Sequence, residues 1–324
     1  MCKQFFCAIS FLIFSTALFC QNENTDSTKI RSFADKIILK ANIETRNTDY
    51  SVKSANENFQ LSTNNEYRLF VSFDYQFIGF TIGYSPKFLP DNNDNNLQGK
   101  STFNDFQFRF FLGNWVQRLQ YSKTKGFYVQ NTGDFLNNWT QGVDPFIQLP
   151  DFTTYFWGGS TSYILNPNFS FRNIVYNTEW QLKSAGSFVP SLKYGFTKIT
   201  SPISTSEVSE QDLDLRFSPE YYQAWVLHKN WFVAPYFAPS LGIRFSTDKE
   251  NDTITDRNTY FTVGLGGGLQ LGYSSERMIF GIAMEFDSTF YNEANKTNVV
   301  NDQFYGKAYL GFRLEAPKFV QKLF

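Results

Sequence analysis

The sequence is poor in the side chains that most often carry catalysis or bind metals. It contains one histidine, His228, and its three cysteines, Cys2, Cys7 and Cys20, all lie in the first 20 residues. If that segment is removed on export, the remaining chain has no thiol, which excludes cysteine nucleophiles, cysteine-ligated metals and disulfides. A single histidine also excludes a histidine-rich metal site. We therefore expect no metal site and no cofactor.

Neither sign of charge is in excess, and long apolar runs are missing from most of the chain. The sequence has 29 Lys and Arg against 30 Asp and Glu, a formal net charge of −1. This balance gives no sign of a nucleic-acid partner. After residue 20 no run of about 18 apolar residues occurs, so we predict no transmembrane helix there. A membrane role would have to come from strands.

The N-terminus has the pattern of an export signal. Lys3 precedes an apolar run from Phe5 to Phe19, which is too short for a membrane span and fits the apolar core of a signal peptide. We predict a signal peptide over residues 1–20, cleaved after Cys20. An N-terminal membrane anchor and lipid attachment at Cys20 are the alternatives.

Apolar and polar residues alternate along most of the remaining chain. Aromatic residues make up 19% of the sequence, yet its mean hydropathy is −0.34, and alternation reconciles the two values. In FTVGLGGGLQLGY (261–273) every second residue except Gly267 is large and apolar, and the other set is mostly glycine. Such segments run for roughly 9 to 15 residues, which suits a tilted membrane strand of about 9–11 better than a soluble strand of about 5–6. Aromatics near the segment ends resemble an interfacial girdle.

Short and long connections mostly alternate between these segments, as in transmembrane barrels with tight turns on one side and long loops on the other. We predict an all-β fold, a single antiparallel up-and-down transmembrane β-barrel of about 12 strands, or about 14 if residues 121–129 form an outer hairpin. The predicted tight turns are 77–79, 112–114, 166–168, 228–230 and 274–277. The predicted long loops are 47–65, 86–101, 198–218, 246–258 and 289–302.

One domain accounts for the chain between its two ends. We predict a short N-terminal periplasmic segment over residues 21–34, the barrel over 35–316 and a C-terminal tail over 317–324. The last residue, Phe324, resembles the terminal aromatic of outer-membrane insertion signals.

The polar faces of the strands carry charges of both signs, which suits a wet lumen lined by ion pairs. We expect Glu285 and Asp287 to pair with Arg313, Lys307 or Arg244 across the lumen; acid–base catalysis or Ca²⁺ binding by the two carboxylates is the alternative. The glycines of 261–273 would face the lumen and leave room for a bulky neighbour or an inserted loop. The predicted lumen charges are Arg109, Arg244, Glu285, Asp287, Lys307, Arg313 and Glu315.

The stretch NTEWQLKSAGSFVPSLKYGF (177–196) resembles an uncharacterised family of exported, predicted outer-membrane barrels of Gram-negative bacteria, described only as a domain of unknown function. Weaker matches lie at 77–86, 121–131 and 160–173. The shared pattern is an aromatic strand, a Lys/Arg-Ser-Ala-Gly-Ser turn and a second aromatic strand. The small residues of this turn by themselves predict a tight turn with a positive φ at Gly186. The resemblance implies barrel architecture and no activity. The turn would be formed by Lys183, Ser184, Ala185, Gly186 and Ser187.

We predict an integral outer-membrane protein, exported through a cleaved signal peptide and in contact with outer-membrane lipid. It would be a passive or structural barrel, or a narrow solute channel with a filled or constricted lumen. The alternative is a secreted soluble all-β binding protein whose apolar faces enclose an internal cavity. Lipopolysaccharide or divalent cations are candidate partners of the acidic loop residues Asp248, Glu250, Asp252 and Asp256.

We predict no catalytic residue and no enzymatic activity. A Ser-His-Asp site would have to use His228, which lies in the short turn VLHKNW. An outer-membrane lipid hydrolase built from His228 and a serine such as Ser187 or Ser288 is the alternative.

Overall fold

Antiparallel strands dominate the described part of the chain. The predicted signal peptide, its cleavage site at Cys20 and the terminal Phe324 lie outside that part. Within it, no helix is long and apolar enough to cross a membrane. The structure is a computed structural model, and it describes residues 28–46, 50–54, 57–203, 206–291 and 299–321.

Sixteen strands, two short α-helices and a 3₁₀ turn (Thr132–Asp134) are present in these residues. The strands are β1 (Ile30–Ser32), β2 (Lys36–Arg46), β3 (Tyr50–Ser54), β4 (Glu57–Ser62), β5 (Tyr67–Tyr75), β6 (Ile78–Tyr84), β7 (Thr102–Leu112), β8 (Trp115–Val129), β9 (Ile147–Tyr163), β10 (Glu179–Gln181), β11 (Ala185–Ile203), β12 (Ser206–His228), β13 (Trp231–Glu250), β14 (Thr253–Ser274), β15 (Met278–Tyr291) and β16 (Val299–Glu315). The helices are α1 (Phe171–Val175) and α2 (Lys318–Gln321).

Twelve of the strands close into a barrel, which confirms the predicted fold class. Neighbouring barrel strands pair antiparallel, and β16 pairs with β2, so that Phe312 lies opposite Leu39. In lipid such closure is compulsory, because an open edge would leave backbone groups unpaired at a cost of several kcal/mol each. The order around the barrel is β2-β5-β6-β7-β8-β9-β11-β12-β13-β14-β15-β16.

Strands β3 and β4 form a hairpin at the end of the barrel opposite the tight turns, which we call the outer end. Leu61 of β4 lies opposite Val129, so the hairpin extends the sheet beside the end of β8. Residues 121–129 are not an outer hairpin, because they continue β8 and pair with β9, where Tyr121 lies opposite Trp157. The count of 12 strands is confirmed, and the count of 14 is wrong.

The large apolar side chains of the strands point away from the lumen. On β14, Phe261 is 64% exposed and Leu269 is 53% exposed, whereas Gln270 between the outward positions is buried. A continuous outward apolar surface is that of a barrel embedded in lipid. The soluble alternative is wrong, because it requires these side chains to enclose a cavity. We call this surface, which covers 231–245 on β13 and 261–273 on β14, the lipid belt.

Aromatic side chains gather where the lipid belt meets the tight-turn end. Trp231 contacts Tyr273 with ring centroids 5.3 Å apart, and Tyr273 stacks on Phe280 at 4.8 Å. Trp115 and Tyr163 pair at 4.8 Å elsewhere on the barrel. Trp and Tyr favour the membrane–water interface because each has an apolar ring and a polar tip. The predicted aromatic girdle is present at this end.

Four adjacent strands rise beyond the lipid belt on one side of the barrel. β11, β12, β13 and β14 have 19, 23, 20 and 22 residues, about twice the number that a membrane requires. The predicted loops 198–218 and 246–258 are therefore wrong. They form hairpin extensions, in which Lys198 lies opposite Gln211 and Asp248 lies opposite Asp256. Water on both faces removes the apolar alternation there, so the sequence pattern does not distinguish strand from loop.

The lipid belt implies that a charged substitution destabilises the barrel by an amount that depends on whether it lies within the belt or beyond it. Leu269→Arg places a guanidinium within the belt, and we expect it to lower the free energy of unfolding by about 2–4 kcal/mol. Thr255→Arg, on the same strand but beyond the belt, should lower it by less than about 1 kcal/mol. Urea unfolding in phospholipid vesicles measures both variants. Equal effects of the two substitutions would contradict a lipid-facing belt.

Candidate functional site

One connection at the tight-turn end is long. Residues 164–184, between β9 and β11, fold back into the lumen, and we call them the plug. The tight turn predicted at 166–168 is wrong, because these residues only lead into the plug. Helix α1 begins after the N-cap Ser170, whose Oγ accepts a hydrogen bond from Asn173 N at 2.8 Å. Asn177, with a φ of 62°, then turns the chain toward β10.

The buried side chain of Gln181 holds the plug together from within. Its Oε1 accepts a hydrogen bond from Ser170 N at 2.6 Å. Its Nε2 donates to the carbonyl oxygens of Asn168 and Lys183, each at 2.9 Å. Both polar atoms of the amide are thus satisfied, and together they fix the path of the plug before and after its helix.

The N-terminal strand docks on the plug. β1 pairs antiparallel with β10, and Leu182 N donates to Lys29 O at 2.7 Å. Phe33 of the N-terminal segment and Trp180 of the plug pack together on Ile38 of β2. The described part of the N-terminal segment, residues 28–34, therefore belongs to the structure that closes the tight-turn end.

Apolar packing attaches one side of the plug to the barrel wall. Phe171 lies edge-on to Tyr222 of β12, with ring centroids 5.0 Å apart, and Phe111 of β7 lies edge-on to Tyr176 at the same distance. This packing removes apolar surface from water and fills the lumen between the plug and five strands. The wall residues of this core are Phe111, Val116, Val189, Tyr222, Ala224, Phe232 and Ala234, and the plug contributes Ile164, Phe169, Phe171, Ile174 and Tyr176.

Cations attach the opposite side of the plug. Lys40 of β2 donates through Nζ to Asn177 Oδ1 at 3.1 Å and to the carbonyl oxygen of Tyr176 at 3.4 Å. Arg313 of β16 donates through Nη2 to the carbonyl oxygens of Asn177 and Glu179 at 3.1 and 3.2 Å. All of these plug oxygens are uncharged. The two strands that close the barrel therefore also hold the plug.

Arg109, one of the predicted lumen charges, forms a buried ion pair beside the plug. Its Nε and Nη2 donate to the two carboxylate oxygens of Asp74 at 2.8 and 2.7 Å, and its Nη1 donates to Thr81 at 2.7 Å. The guanidinium also lies 4.9 Å from the ring centroid of Tyr176. Asp74 is a site residue that was not predicted from the sequence. The alternation along β5 places Asp74 among the polar, inward-facing residues, and this position could have marked it as a lumen charge.

Glu285 and Lys307 form a second ion pair in the lumen. Lys307 Nζ donates to Glu285 Oε1 at 2.8 Å. The hydroxyls of Tyr305 and Tyr236 donate to Glu285 Oε2 at 2.9 and 3.3 Å. A carboxylate with three donors is held in its ionised form and in one orientation, which favours a structural role over acid–base catalysis.

Two other predicted lumen charges pair with residues that the sequence does not indicate. Asp287 lies 3.6 Å from Arg216, and Arg244 donates to Asp214 at 2.9 Å. Arg216 and Asp214 both lie on β12. The register between strands brings the members of each pair together. Because these partners are far apart in sequence, no local pattern predicts which residues pair.

The remaining two predicted lumen charges lie at the tight-turn end. Arg313 is 3% exposed and contacts the plug. Glu315 is not a lumen residue, because its side chain is 80% exposed at the rim, where its Oε1 lies 3.0 Å from Lys36 Nζ. The alternation correctly continues to Glu315, but the lumen itself ends before the last residue of β16.

Residues 183–187 carry the family pattern, but they do not form a turn between two spanning strands. Ala185 begins β11, and Gly186 lies in extended backbone opposite Gln223, so the predicted positive φ is wrong. A Cβ on Gly186 would lie 2.6 Å from the Tyr221 hydroxyl, so packing rather than turn geometry requires a small residue. The aromatic stretch before the motif belongs to the plug.

The inward glycines of β14 make room for a large side chain of the neighbouring strand. A Cβ on Gly268 would lie 2.6 Å from the ring of Tyr236 and 2.7 Å from the carbonyl oxygen of Met284. At Gly266 the nearest atoms would be 3.4 Å away, which is ordinary contact. Tyr236 thus lies along the wall over Gly268, and from there its hydroxyl reaches Glu285.

His228 is not close to either serine considered for hydrolysis. It ends β12 opposite Trp231. Ser187 lies opposite Tyr222, six residues (228 minus 222) from His228 along the same strand, a rise of roughly 20 Å. Ser288 lies near the other end of its strand, β15. The structure does not assemble a Ser-His pair from these residues.

The acidic residues expected in a loop lie on the outer extensions. Asp248 is opposite Glu210 of β12 and opposite Asp256 of β14. Asn251 and Asp252, with φ values of 48° and 61°, form the tight connection between β13 and β14. In the described ranges, no group of three or more His, Cys, Asp or Glu side chains is placed to hold a metal ion. Binding of lipopolysaccharide or a divalent cation here stays a prediction.

The closed ring, the lipid belt and the aromatic girdle define a transmembrane β-barrel. Within that class, the chain belongs to the family described as a domain of unknown function (DUF4421), whose model matches residues 24–314. This match confirms the resemblance that the sequence carries at 177–196. No curated protein matches the chain.

Solved outer-membrane barrels are similar to this chain at low identity. The outer membrane protease OmpT from Escherichia coli has 6% identity and a TM-score of 0.34, with 92% of this chain and 98% of that chain covered. The translocator domain of the autotransporter NalP from Neisseria meningitidis has 8% identity, a TM-score of 0.36 and 95% coverage of both chains. The Pseudomonas putida toluene transporter TodX has 7% identity, a TM-score of 0.30 and coverage of 87% and 90%. Likenesses of this strength carry no argument about activity.

The glycines of β14 provide a matched pair of substitutions. Gly268→Ala forces the Tyr236 ring or the backbone of β15 to move, and we expect it to destabilise the barrel by about 1–3 kcal/mol. Gly266→Ala, two residues away on the same face, should change stability by less than about 0.5 kcal/mol. Urea unfolding in vesicles compares the two. If Gly266→Ala proved the more harmful, the placement of Tyr236 over Gly268 would be wrong.

The Glu285–Lys307 pair can be tested by a double-mutant cycle. Glu285→Gln leaves Lys307 without its carboxylate, and we expect a loss of about 2–3 kcal/mol in the free energy of unfolding. Lys307→Met combined with Glu285→Gln removes the unpaired charge and should restore part of that loss. Additive effects in the unfolding measurements would show that the two side chains do not interact.

Proposed function

We propose that this protein is an integral outer-membrane barrel that acts as a narrow solute channel and is closed in this conformation by the plug. One observation supports the proposal above the others. The plug is attached to the wall by apolar packing on one side and by hydrogen bonds from cations on the other. A passage along the polar side would open without disrupting the apolar core.

The polar side of the plug favours a channel over a purely structural barrel. A barrel that only needs a filled interior is stabilised most simply by apolar packing, as on the side of β11–β13. Lys40 and Arg313 instead bury charge against neutral oxygens, which costs free energy that better-packed apolar side chains would not. Such local costs are typical of functional sites.

The location follows from three features taken together. The N-terminal sequence has the pattern of an export signal, the barrel carries a lipid belt, and, apart from the plug, the long connections lie at the end opposite the tight turns. We propose the outer membrane of a Gram-negative bacterium, with the tight-turn end and the plug on the periplasmic side. We further propose that the protein has no enzymatic activity, since His228 is not placed beside a nucleophile.

Replacing residues 167–183 with a short Gly-Ser linker tests the channel. We expect the intact protein to be closed for most of the recording time in planar bilayers, and the plug-deleted protein to conduct continuously. The physical reason is that the linker cannot fill the space between β2 and β12. A linker replacement of the exposed residues 137–143 at the outer end serves as the control and should leave the channel closed.

Two results would overturn the proposal. Steady conductance of the intact protein would show that the plug does not close the barrel. A plug-deleted protein that is folded, as judged by heat-modifiable mobility in SDS gels, but never conducts would favour a structural barrel. If the deletion prevents folding, Trp180→Ala in the full chain serves instead, because it removes packing between the plug and the wall. We expect this variant to open more often than the intact protein. An unchanged frequency of openings would contradict the proposal that the plug closes the channel.

A further inference from the structure

Among the described residues, the buried wall cations Lys40 and Arg313 form no ion pair within 4.0 Å. Lys40 is 7% exposed and Arg313 is 3% exposed. Every hydrogen bond that the two side chains donate ends on an uncharged oxygen. Since a buried charge is normally paired with an opposite one, these two cations require an explanation.

The oxygens that surround these cations come mainly from the plug. Four of them are the carbonyl oxygens of Tyr176, Asn177 and Glu179 and the side-chain oxygen of Asn177. The wall adds Ser274 Oγ at 3.0 Å from Arg313 Nη2, and the carbonyl oxygen of Ser275 accepts a hydrogen bond from Nη1. The arrangement resembles several oxygens of one small anion held between two cations.

The two cations lie close together on the barrel wall. Lys40 is opposite Gly311, and Arg313 is opposite Ile38, so the two side chains are diagonal neighbours on β2 and β16. Diagonal positions are separated by about 7–8 Å, and both side chains point inward. Two flexible cationic side chains at this spacing can contact one small anion between them.

Two carboxylates beside the plug are each paired with an arginine, and the half-buried Arg118 of β8 donates to Gln120 Oε1 at 3.3 Å. Asp74 accepts two hydrogen bonds from Arg109. Glu179 lies 3.4 Å from Arg172, a residue of the plug itself. Asp74 is a diagonal neighbour of Lys40 across β2 and β5, but both of its oxygens accept hydrogen bonds from Arg109. Lys40 and Arg313 therefore add positive charge at this level of the lumen, and neither forms an ion pair among the described residues.

We propose that Lys40 and Arg313 form a binding site for a small oxyanion in the channel, and that the plug oxygens occupy this site in the closed state. This inference rests on the proposed channel function. A phosphate-type or carboxylate-type anion carries full charge, so it is a stronger acceptor for both cations than the neutral oxygens of the plug. The anion and the plug compete for the same donors.

Competition has two measurable consequences. An anion that binds the open state and not the closed state shifts the equilibrium toward the open state. A pair of cations that face the lumen without an ion-pair partner also makes the passage selective for anions over cations. Both consequences require Lys40 and Arg313, and neither depends on the ion pairs higher in the lumen.

Reversal potentials of the plug-deleted protein in a KCl gradient test the selectivity. We expect an anion-selective potential that moves toward zero in the double variant Lys40→Gln, Arg313→Gln. Lys123→Gln is the matched control, because the Lys123 ammonium lies over the Tyr155 ring on the outer face of β8. A potential that the double variant leaves unchanged would overturn the anion site while the channel proposal stands.

A second measurement does not need conductance. The plug-deleted protein exposes the two cations, so sodium phosphate should raise its urea unfolding midpoint above that in sodium chloride at equal ionic strength. We expect the intact protein, whose site is occupied, and the double variant to show no such difference. If phosphate stabilised a plug-deleted protein that does not conduct, the anion site would be supported and the channel proposal would be wrong. Equal midpoints in phosphate and chloride would reject an oxyanion site.

Discussion

The pairing of β16 with β2 is the constraint on which the rest of the structure depends. In lipid a sheet must have no free edge, so the first and last barrel strands have to meet in register. The register places Lys40 opposite Gly311 and Arg313 opposite Ile38. Because side chains alternate between the two faces, closure also decides which residues point into the lumen. The seam that closes the ring is therefore the same wall that carries the two cations facing the plug.

A ring of 12 strands leaves an interior that side chains of the wall fill only in part. At the tight-turn end the chain fills it with its own segment, whose aromatic residues pack on β7, β8 and β11–β13. Farther out, the side chains of the wall cross the lumen in ion pairs, and Gly268 leaves the space that Tyr236 occupies on its way to Glu285. The bare glycine face of β14 is thus explained by the large residues beside it.

The alternation in the sequence was sufficient to predict the closed barrel, the outward lipid belt and the membrane-spanning part of the strands, because each depends on a period that is local. It did not predict the outer extensions of β11–β14. It was not sufficient to predict the plug. Two pairs of its apolar residues, Phe169 with Phe171 and Trp180 with Leu182, are each spaced two apart, as in a spanning strand. The lumen buries these side chains as lipid would bury a strand face. What distinguishes them is contact with residues distant in sequence, as between Trp180 and Phe33 and between Phe171 and Tyr222. The partner of Asp287 was missed for the same reason, because a local sequence pattern does not determine the register between strands.

The charges of the lumen are arranged in two different ways along its height. Away from the plug, Arg244 meets Asp214, Lys193 meets Glu220, and Lys307 meets Glu285, so each cation has a carboxylate nearby. Beside the plug, Lys40 and Arg313 meet neutral oxygens of a segment that the barrel does not need for closure. A wall built around a permanent filler would lower its free energy by replacing such cations with apolar side chains. The proposed anion site would account for cations kept at that cost, because an anion would carry the negative charge that the plug oxygens lack.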